Sequence, residues 1–395
     1  MLDPAPTLET LPLANLRVIV RVDFDVVVDP KGEVSNVAPL RRLLPTFEHV
    51  TSQGGRLVIA GNCSTSNRQD RAAPSIDPVG MALAGLTGWE ILVPDSATGD
   101  AARKVVGDQR PGQVCLLPNL AHEPNDLAAD EAFAHQLARL GDVYVLDSLS
   151  LADQTLASVT LLPRLVPHRM LGLALRADLA AIEQLRQPSR PFVAVLGGRH
   201  LAEELERFES LLGRANTICL AGGVANTMLV ASGHDLGATR VENELLAQAR
   251  SLWDRADHAR VEVLVPEDVR VARRPHSTER HAVTVSAIPE DQIVVDVGPR
   301  TTNRYKHVCE TAGTVVVSGP MGLQGKGLST AAERELYPAL ANSPSFTAVL
   351  GPAATQAAWA CDEALPTRFD LFAKAVEPVW RLLSGARLPG LQALR

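Results

Sequence analysis

The residues with most scope for chemistry in this chain are the polar groups that follow short β-branched runs. In the first half these are Asp23 to Asp25, Asn62 to Ser66, Asn119 to Glu123 and Asp147 to Gln154. In the second half they are Gly197 to Glu204, Gly222 to Thr227, Asp268, Ser318 to Gly322 and Gly351 to Ala354. Ligands of open α/β sheets sit beyond the carboxyl ends of the strands, so these are the positions a ligand would meet. Asp23, Asp25, Asn62, Asn119, Asp147 and Asp153 form a set of carboxylates and amides that suits a neutral, hydroxyl-rich or cationic ligand. Arg199 and His200 are the charged candidates in the second half. Asp and Asn at strand ends also cap loops and hold turns, an equally good account of Asp23, Asn119 and Asp147. No nucleophile–base constellation is identifiable. The five cysteines (Cys63, Cys115, Cys219, Cys309, Cys361) lie far apart with no paired metal-ligand spacing, so no metal is assigned.

The elements that must position these residues follow from the pattern around them. RVIVRVDF (17–24), RLVIAG (56–61), VCLL (114–117) and DVYVLD (142–147) read as buried parallel strands, separated by helical stretches such as 39–53 and 130–141. A second series follows: PFVAVLGG (191–198), TICLAGG (217–223), VEVLVPEDV (261–269), TVVVSGP (314–320) and FTAVLG (346–351). Strands alternating with helices predict a doubly wound parallel sheet in each half. A helical hinge is expected over about Leu171 to Gln187, ending in Pro188-Ser189-Arg190-Pro191. At 395 residues the chain exceeds the size at which one core keeps growing, so two domains are expected. The net charge of −7 argues against a nucleic-acid or anionic-membrane partner. No apolar run approaches the ~20 residues that span a bilayer. The Pro-broken, acidic N-terminus reads as no signal peptide, and scattered cysteines suit a reducing compartment, so a cytoplasmic monomer is expected.

Taken in order, the strand ends resemble the phosphoglycerate kinase family over nearly the whole chain. The resemblance is carried by RVDFD (21–25), LPTF (44–47), NL (119–120), LGDVYVLD (140–147), RPFVAVLGG (190–198), AGGVANTML (221–229), VPEDV (265–269), DVGPRT (296–301), SGPMG (318–322) and LPGL (388–391). It implies two Rossmann-like domains of the phosphoglycerate kinase type joined by a hinge. Residues 1–172 would be the 3-phosphoglycerate lobe, 173–190 the hinge helix and linker, 191–375 the nucleotide lobe, and 376–395 a segment returning to the first lobe. It also implies Mg-ATP as cofactor and hinge closure over a cleft between the lobes.

The resemblance thins where that chemistry would sit. Phosphoryl transfer relies on cations and dipoles placed around a highly negative transition state. The family's substrate-binding Arg before LPT is Pro39 here, and Arg41 lies roughly 200° around the helix from it. The family's Ser-His-Leu-Gly-Arg-Pro loop becomes Gly61-Asn62-Cys63-Ser64-Thr65-Ser66, and its Asn-Leu-Arg-Phe becomes Asn119-Leu120-Ala121-His122. Its Ala-His-Arg-Ala-His becomes Ala152-Asp153-Gln154-Thr155-Leu156, while Asp25 replaces an Asn. In the nucleotide lobe, His200 and Glu204 stand at the positions of two phosphate-facing lysines. Ala353 stands at the metal-binding Asp, Pro352 removes an N–H beside it, and a glycine loop becomes Ala373 to Pro378. The acidic ribose contact falls at Gly325, next to a surface Lys326. The residual nucleotide-lobe set is Gly197, Gly198, Arg199, His200, Gly222, Gly223, Asn226, Gly298, Pro299 and Pro320. Of these, Gly222, Gly223, Asn226, Gly298, Pro299 and Pro320, with Ala225 and Met321, form a base-side wall that could fit an adenine-sized ligand or simply shape turns.

Three functions remain open on sequence grounds: a degenerate homologue kept for binding or regulation, an enzyme on a less anionic substrate, and a working kinase with displaced groups. No catalytic residue and no certain cofactor is assigned, although the family implies ATP and Mg²⁺. The expected partner is a small polar molecule or nucleotide in the cleft between lobes, with a protein partner as a further reading.

Overall fold

The computed structural model describes residues 5–29, 31–65, 75–275, 277–324 and 329–395. It divides into two compact units, Met1–Glu183 with Glu377–Arg395, and Gln184–Val376. Helix Leu173–Arg186 begins in the first and ends in the second.

The first domain is a six-stranded, all-parallel sheet. Its strands are β1 (Arg17–Val28), β2 (Arg56–Thr65), β3 (Ile91–Leu92), β4 (Val114–Leu116), β5 (Val143–Leu146) and β6 (His168–Leu171), in the order β3-β4-β2-β1-β5-β6. Continuous β-branched runs suit strands covered on both faces. Helix Ala38–Ser52 places Leu40, Leu43, Phe47 and Val50 at helical spacing against Val18, Val20, Val22, Leu57 and Ile59. The C-terminal helices Glu377–Leu383 and Pro389–Ala393 belong to this domain, and a Cβ on Gly390 would meet Ala152 and Val159 at about 3 Å.

The second domain carries another parallel six-stranded sheet: β7 (Phe192–Leu196), β8 (Thr217–Leu220), β9 (Glu262–Leu264), β13 (Thr314–Ser318), β14 (Phe346–Leu350) and β15 (Leu371–Ala373), ordered β15-β14-β13-β7-β8-β9. Beside it lies an antiparallel sheet, β11-β10-β12, from β10 (Asp268–Ala272), β11 (His281–Thr284) and β12 (Ile293–Val297). The sequence reading runs one strand through 261–269. The structure instead breaks it at Pro266, which has no N–H to donate, so β9 closes the large sheet and β10 starts the small one. The antiparallel sheet packs its own cluster of Leu229, Leu236, Val269, Val271, Val285 and Val294.

Candidate functional site

In the first domain, the candidate residues do not all lie beyond strands as their sequence placement implies. Asp23 and Asp25 fall inside β1, and Asn62 falls inside β2 opposite Asp23. The Val26-Val27-Val28 run carries β1 onward after an irregularity: Asp23 to Val27 faces only Asn62 to Ser64, and Asp25 takes φ 54° within it. Asp23 holds that kink. Its Oδ1 accepts the Asp25 N–H (3.0 Å) and its Oδ2 accepts the Ser150 hydroxyl (3.3 Å).

Asn119 clips the neighbouring strand. Its Oδ1 accepts N–H groups of Cys63 and Ala121 (3.1 Å each), and its Nδ2 donates to the Cys63 carbonyl (3.0 Å). Burial pushes the Cys63 thiol up to about 12, with the charge of Asp23 adding to it. Asp147, at the end of β5, accepts the Leu175 N–H through Oδ1 at 2.7 Å and so fixes the start of helix Leu173–Arg186. It is 2% exposed, and burial raises its carboxyl above the ordinary range against the opposing pull of hydrogen bonds from Thr46 and from the Leu175 and Ala174 N–H groups. Asn62 Oδ1 is buried without a hydrogen-bond partner. Asp153 is ion-paired to Arg381 of the C-terminal helix.

An arginine the sequence reading passes over brings positive charge here. Arg41 is exposed, whereas Arg42 pairs with Asp178 of helix Leu173–Arg186. Burial pushes Asp178 up to about 6 against the pull of Arg42, with Asp147 and Asp25 adding repulsion. The available signal was spacing: Arg42 lies three residues after Pro39 and therefore shares its helix face. Arg21 also escapes notice as a buried group. It is 0% exposed, donates to Ser158 Oγ (2.8 Å) and to the carbonyls of Val22 and Ala60, and pairs with buried Asp126 at 3.4 Å.

In the second domain, the glycines pack against one another's backbones. A Cβ on Gly223 would lie 1.9 Å from the Arg199 carbonyl oxygen, and one on Gly197 would lie 2.2 Å from that of Pro320. Their amides are consumed: Gly197 donates to Ser318 (2.8 Å), Gly198 to Pro320 (3.1 Å), Gly222 to Met321 (3.0 Å) and Gly223 to Gly198 (2.7 Å). Gly298 donates to the Asp268 carbonyl at 2.8 Å, and Pro299 opens helix Pro299–Glu310. Asn226 is buried on helix Gly222–Ala231.

His200 is the residue before helix Leu201–Leu212, and Arg199 precedes it, both exposed. That helix start is filled from a distant loop. Glu242 accepts the Leu201 N–H through Oε2 and the Ala202 N–H through Oε1 (3.4 Å), with His200 Nδ1 at 3.8 Å. Glu204 is buried in the first turn and pairs with Arg207 at 2.6 Å. Asp268 accepts the N–H groups of Arg300 (3.1 Å) and Thr301 (2.8 Å), capping helix Pro299–Glu310. Asp296 and Glu333 do the same around helix Ala331–Ala341. Asp296 Oδ2 accepts the Ala332 N–H (3.2 Å), while Glu333 accepts Thr330 N–H (2.7 Å) and Met321 N–H (3.0 Å).

The start of helix Pro352–Cys361 has no side-chain cap. A Cβ on Gly351 would meet the Val376 side chain at 3.2 Å, and Gln324 donates to the Ala353 carbonyl at 3.0 Å. Among the described residues, no group of three or more His, Cys, Asp or Glu side chains is arranged to hold a metal ion. Ala353, at the position where the resemblance implies a metal ligand, offers no side-chain oxygen to a metal ion. Ser66, Gly325 and Lys326 lie outside the described residues.

Two α/β domains, each built on a six-stranded parallel sheet whose helix starts follow its strands, define the class of protein. Residues 8–364 match the family model for phosphoglycerate kinase. A phosphoglycerate kinase of Anaeromyxobacter dehalogenans is 34% identical over 87% of this chain and 88% of its own length. One from Anaeromyxobacter sp. strain Fw109-5 is 32% identical over 98% of each chain. The solved phosphoglycerate kinase of Coxiella burnetii superposes with a TM-score of 0.80 at 26% identity, covering 99% of both chains. The chain belongs to the phosphoglycerate kinase family.

Proposed function

We propose that this family member does not transfer phosphate between ATP and 3-phosphoglycerate at a useful rate and is retained as a binding or regulatory protein. The observation that carries the reading is Glu242 at the start of helix Leu201–Leu212. A helix N-terminus attracts phosphate because its free N–H groups and dipole favour an anion. Here a carboxylate of the chain already holds those groups, so an incoming phosphate meets negative charge in place of donors. The two lysines that the family places there are His200 and Glu204, and the metal-binding Asp is Ala353.

The first domain supports the same conclusion. Among the described residues, its Arg21 is paired with Asp126 and its Arg42 with Asp178, so a phosphorylated acid would compete with a carboxylate for each. Each charge-assisted hydrogen bond to such a ligand is worth about 1.5–3 kcal/mol. Loss of a single transition-state arginine costs about 10³–10⁵ in rate in comparable phosphoryl transfers. A coupled assay with 3-phosphoglycerate, Mg²⁺ and ATP tests the reading. No turnover is expected; turnover of about 1 s⁻¹ or more, the lower end of the usual kinase range, overturns it.

A further inference from the structure

The break of the chain at Pro266 leaves β9 as the last strand of the large sheet, while β10, which follows it, joins the small one. The register fixes which groups of β9 face outward. Glu262 is aligned with Thr217 and donates its N–H to the Asn216 carbonyl, so in this parallel ladder the N–H and C=O of Val263 point away from β8. Among the described residues, neither these groups nor those of Val265 have a hydrogen-bond partner. A row of free groups at a strand edge is a template for another extended chain.

A cavity of about 340 Å³ lies along this edge. Leu229, Leu264, Pro266 and Val285 form its buried floor, and the half-buried Val263 and Val265 line it as well. Leu229 and Val285 belong to the apolar cluster of the small sheet, and Val265 packs against that cluster. The volume is at the lower end of the range for ligand pockets and suits one branched aliphatic side chain with its flanking amides. On the exposed rim, beside His234 and Ser286, Arg304 pairs with Glu267. A charged ligand would have to compete with that ion pair, whereas a neutral amide meets backbone donors and acceptors that are unused.

We propose that this edge and its cavity bind a short, extended, uncharged peptide with a branched aliphatic side chain as an added strand. One of its residues would exchange both backbone hydrogen bonds with Val263, as in an antiparallel hydrogen-bonded pair, and place its side chain in the cavity. None of the lining residues is among the candidate site residues above, so kinase turnover would overturn the proposed function and leave this inference standing. Titration calorimetry of the full chain with acetyl-Ala-Leu-Ala-amide tests it. Saturable binding is expected, at least tenfold weaker when the leucine nitrogen is methylated and when the leucine is replaced by alanine. Val263→Pro should weaken it at least tenfold too, because Pro on an edge strand with its nitrogen facing outward leaves the ladder to β8 intact. Absence of saturable heat, equal affinity for the N-methylated peptide, or wild-type affinity in folded Val263→Pro overturns the proposal. So does a dimer in analytical ultracentrifugation that Val263→Pro dissociates, since a second copy of the chain would then fill the edge.

Discussion

Replacing Glu333 with Gln isolates one buried charge in the second domain. Glu333 is 0% exposed, and burial pushes its carboxyl from 4.5 up to about 7, with repulsion from Asp296 adding and its N–H donors opposing. The folded state therefore holds this proton more tightly than the unfolded state does. Its contribution to stability is fully present below about pH 4.5 and is lost as the pH rises through about 7. At about 1.4 kcal/mol for each tenfold change in proton affinity, that loss is roughly 3 kcal/mol. Asp296, pushed up to about 6 mainly by burial, adds a loss of the same sign. Gln cannot ionise, but it keeps only one acceptor for the N–H groups of Met321 and Thr330, at a cost of about 1–3 kcal/mol at every pH. The wild-type domain should weaken from about pH 5 to about pH 8. The variant should start lower, lack most of that slope and close the gap at the alkaline end. Urea unfolding read by hydrogen exchange of Thr314–Ser318 confines the measurement to this domain. Parallel pH profiles for the two proteins would refute the assignment of the charge.

Two further substitutions address the groups that hold each domain together. Arg21→Ala leaves Asp126 buried without its counter-charge and should cost about 3–5 kcal/mol in chemical denaturation of the first domain. Arg21→Met combined with Asp126→Leu should recover most of that, and an undiminished loss in the pair would rule out the ionic account. Glu242→Ala should cost about 1 kcal/mol through its lost cap, and unchanged stability would mean that the contact contributes nothing.

The parallel sheets are legible in the sequence because strands covered on both faces read as short, near-continuous apolar runs rich in valine, as in Phe192–Leu196 and Thr314–Ser318. Edge strands such as Ile91–Leu92 and Leu371–Ala373 are too short to carry a pattern. The antiparallel sheet is concealed by reading through Pro266. At the site, replacements at Pro39 and Ala353 are visible in a single sequence. The partners are not. Glu242 caps a helix that begins 41 residues earlier, and Asp178 meets Arg42 across 136 residues, separations that no local spacing rule covers.

On the proposed function, the distribution of carboxylates explains how such a fold would dispense with an anionic ligand. Helices that start just after strands leave N–H groups needing acceptors. In the second domain Glu242 and Asp268 supply them at two such starts, and Asp296 and Glu333 do so at helix Ala331–Ala341. Each acceptor is tethered, so it is present at high effective concentration whenever the domain is folded. A phosphate would have to displace it and then remain beside the displaced charge. The interactions that stabilise the ligand-free domain are therefore the ones that oppose phosphate. Restoring a lysine at His200 alone would leave Glu242 in place and the barrier to binding largely intact.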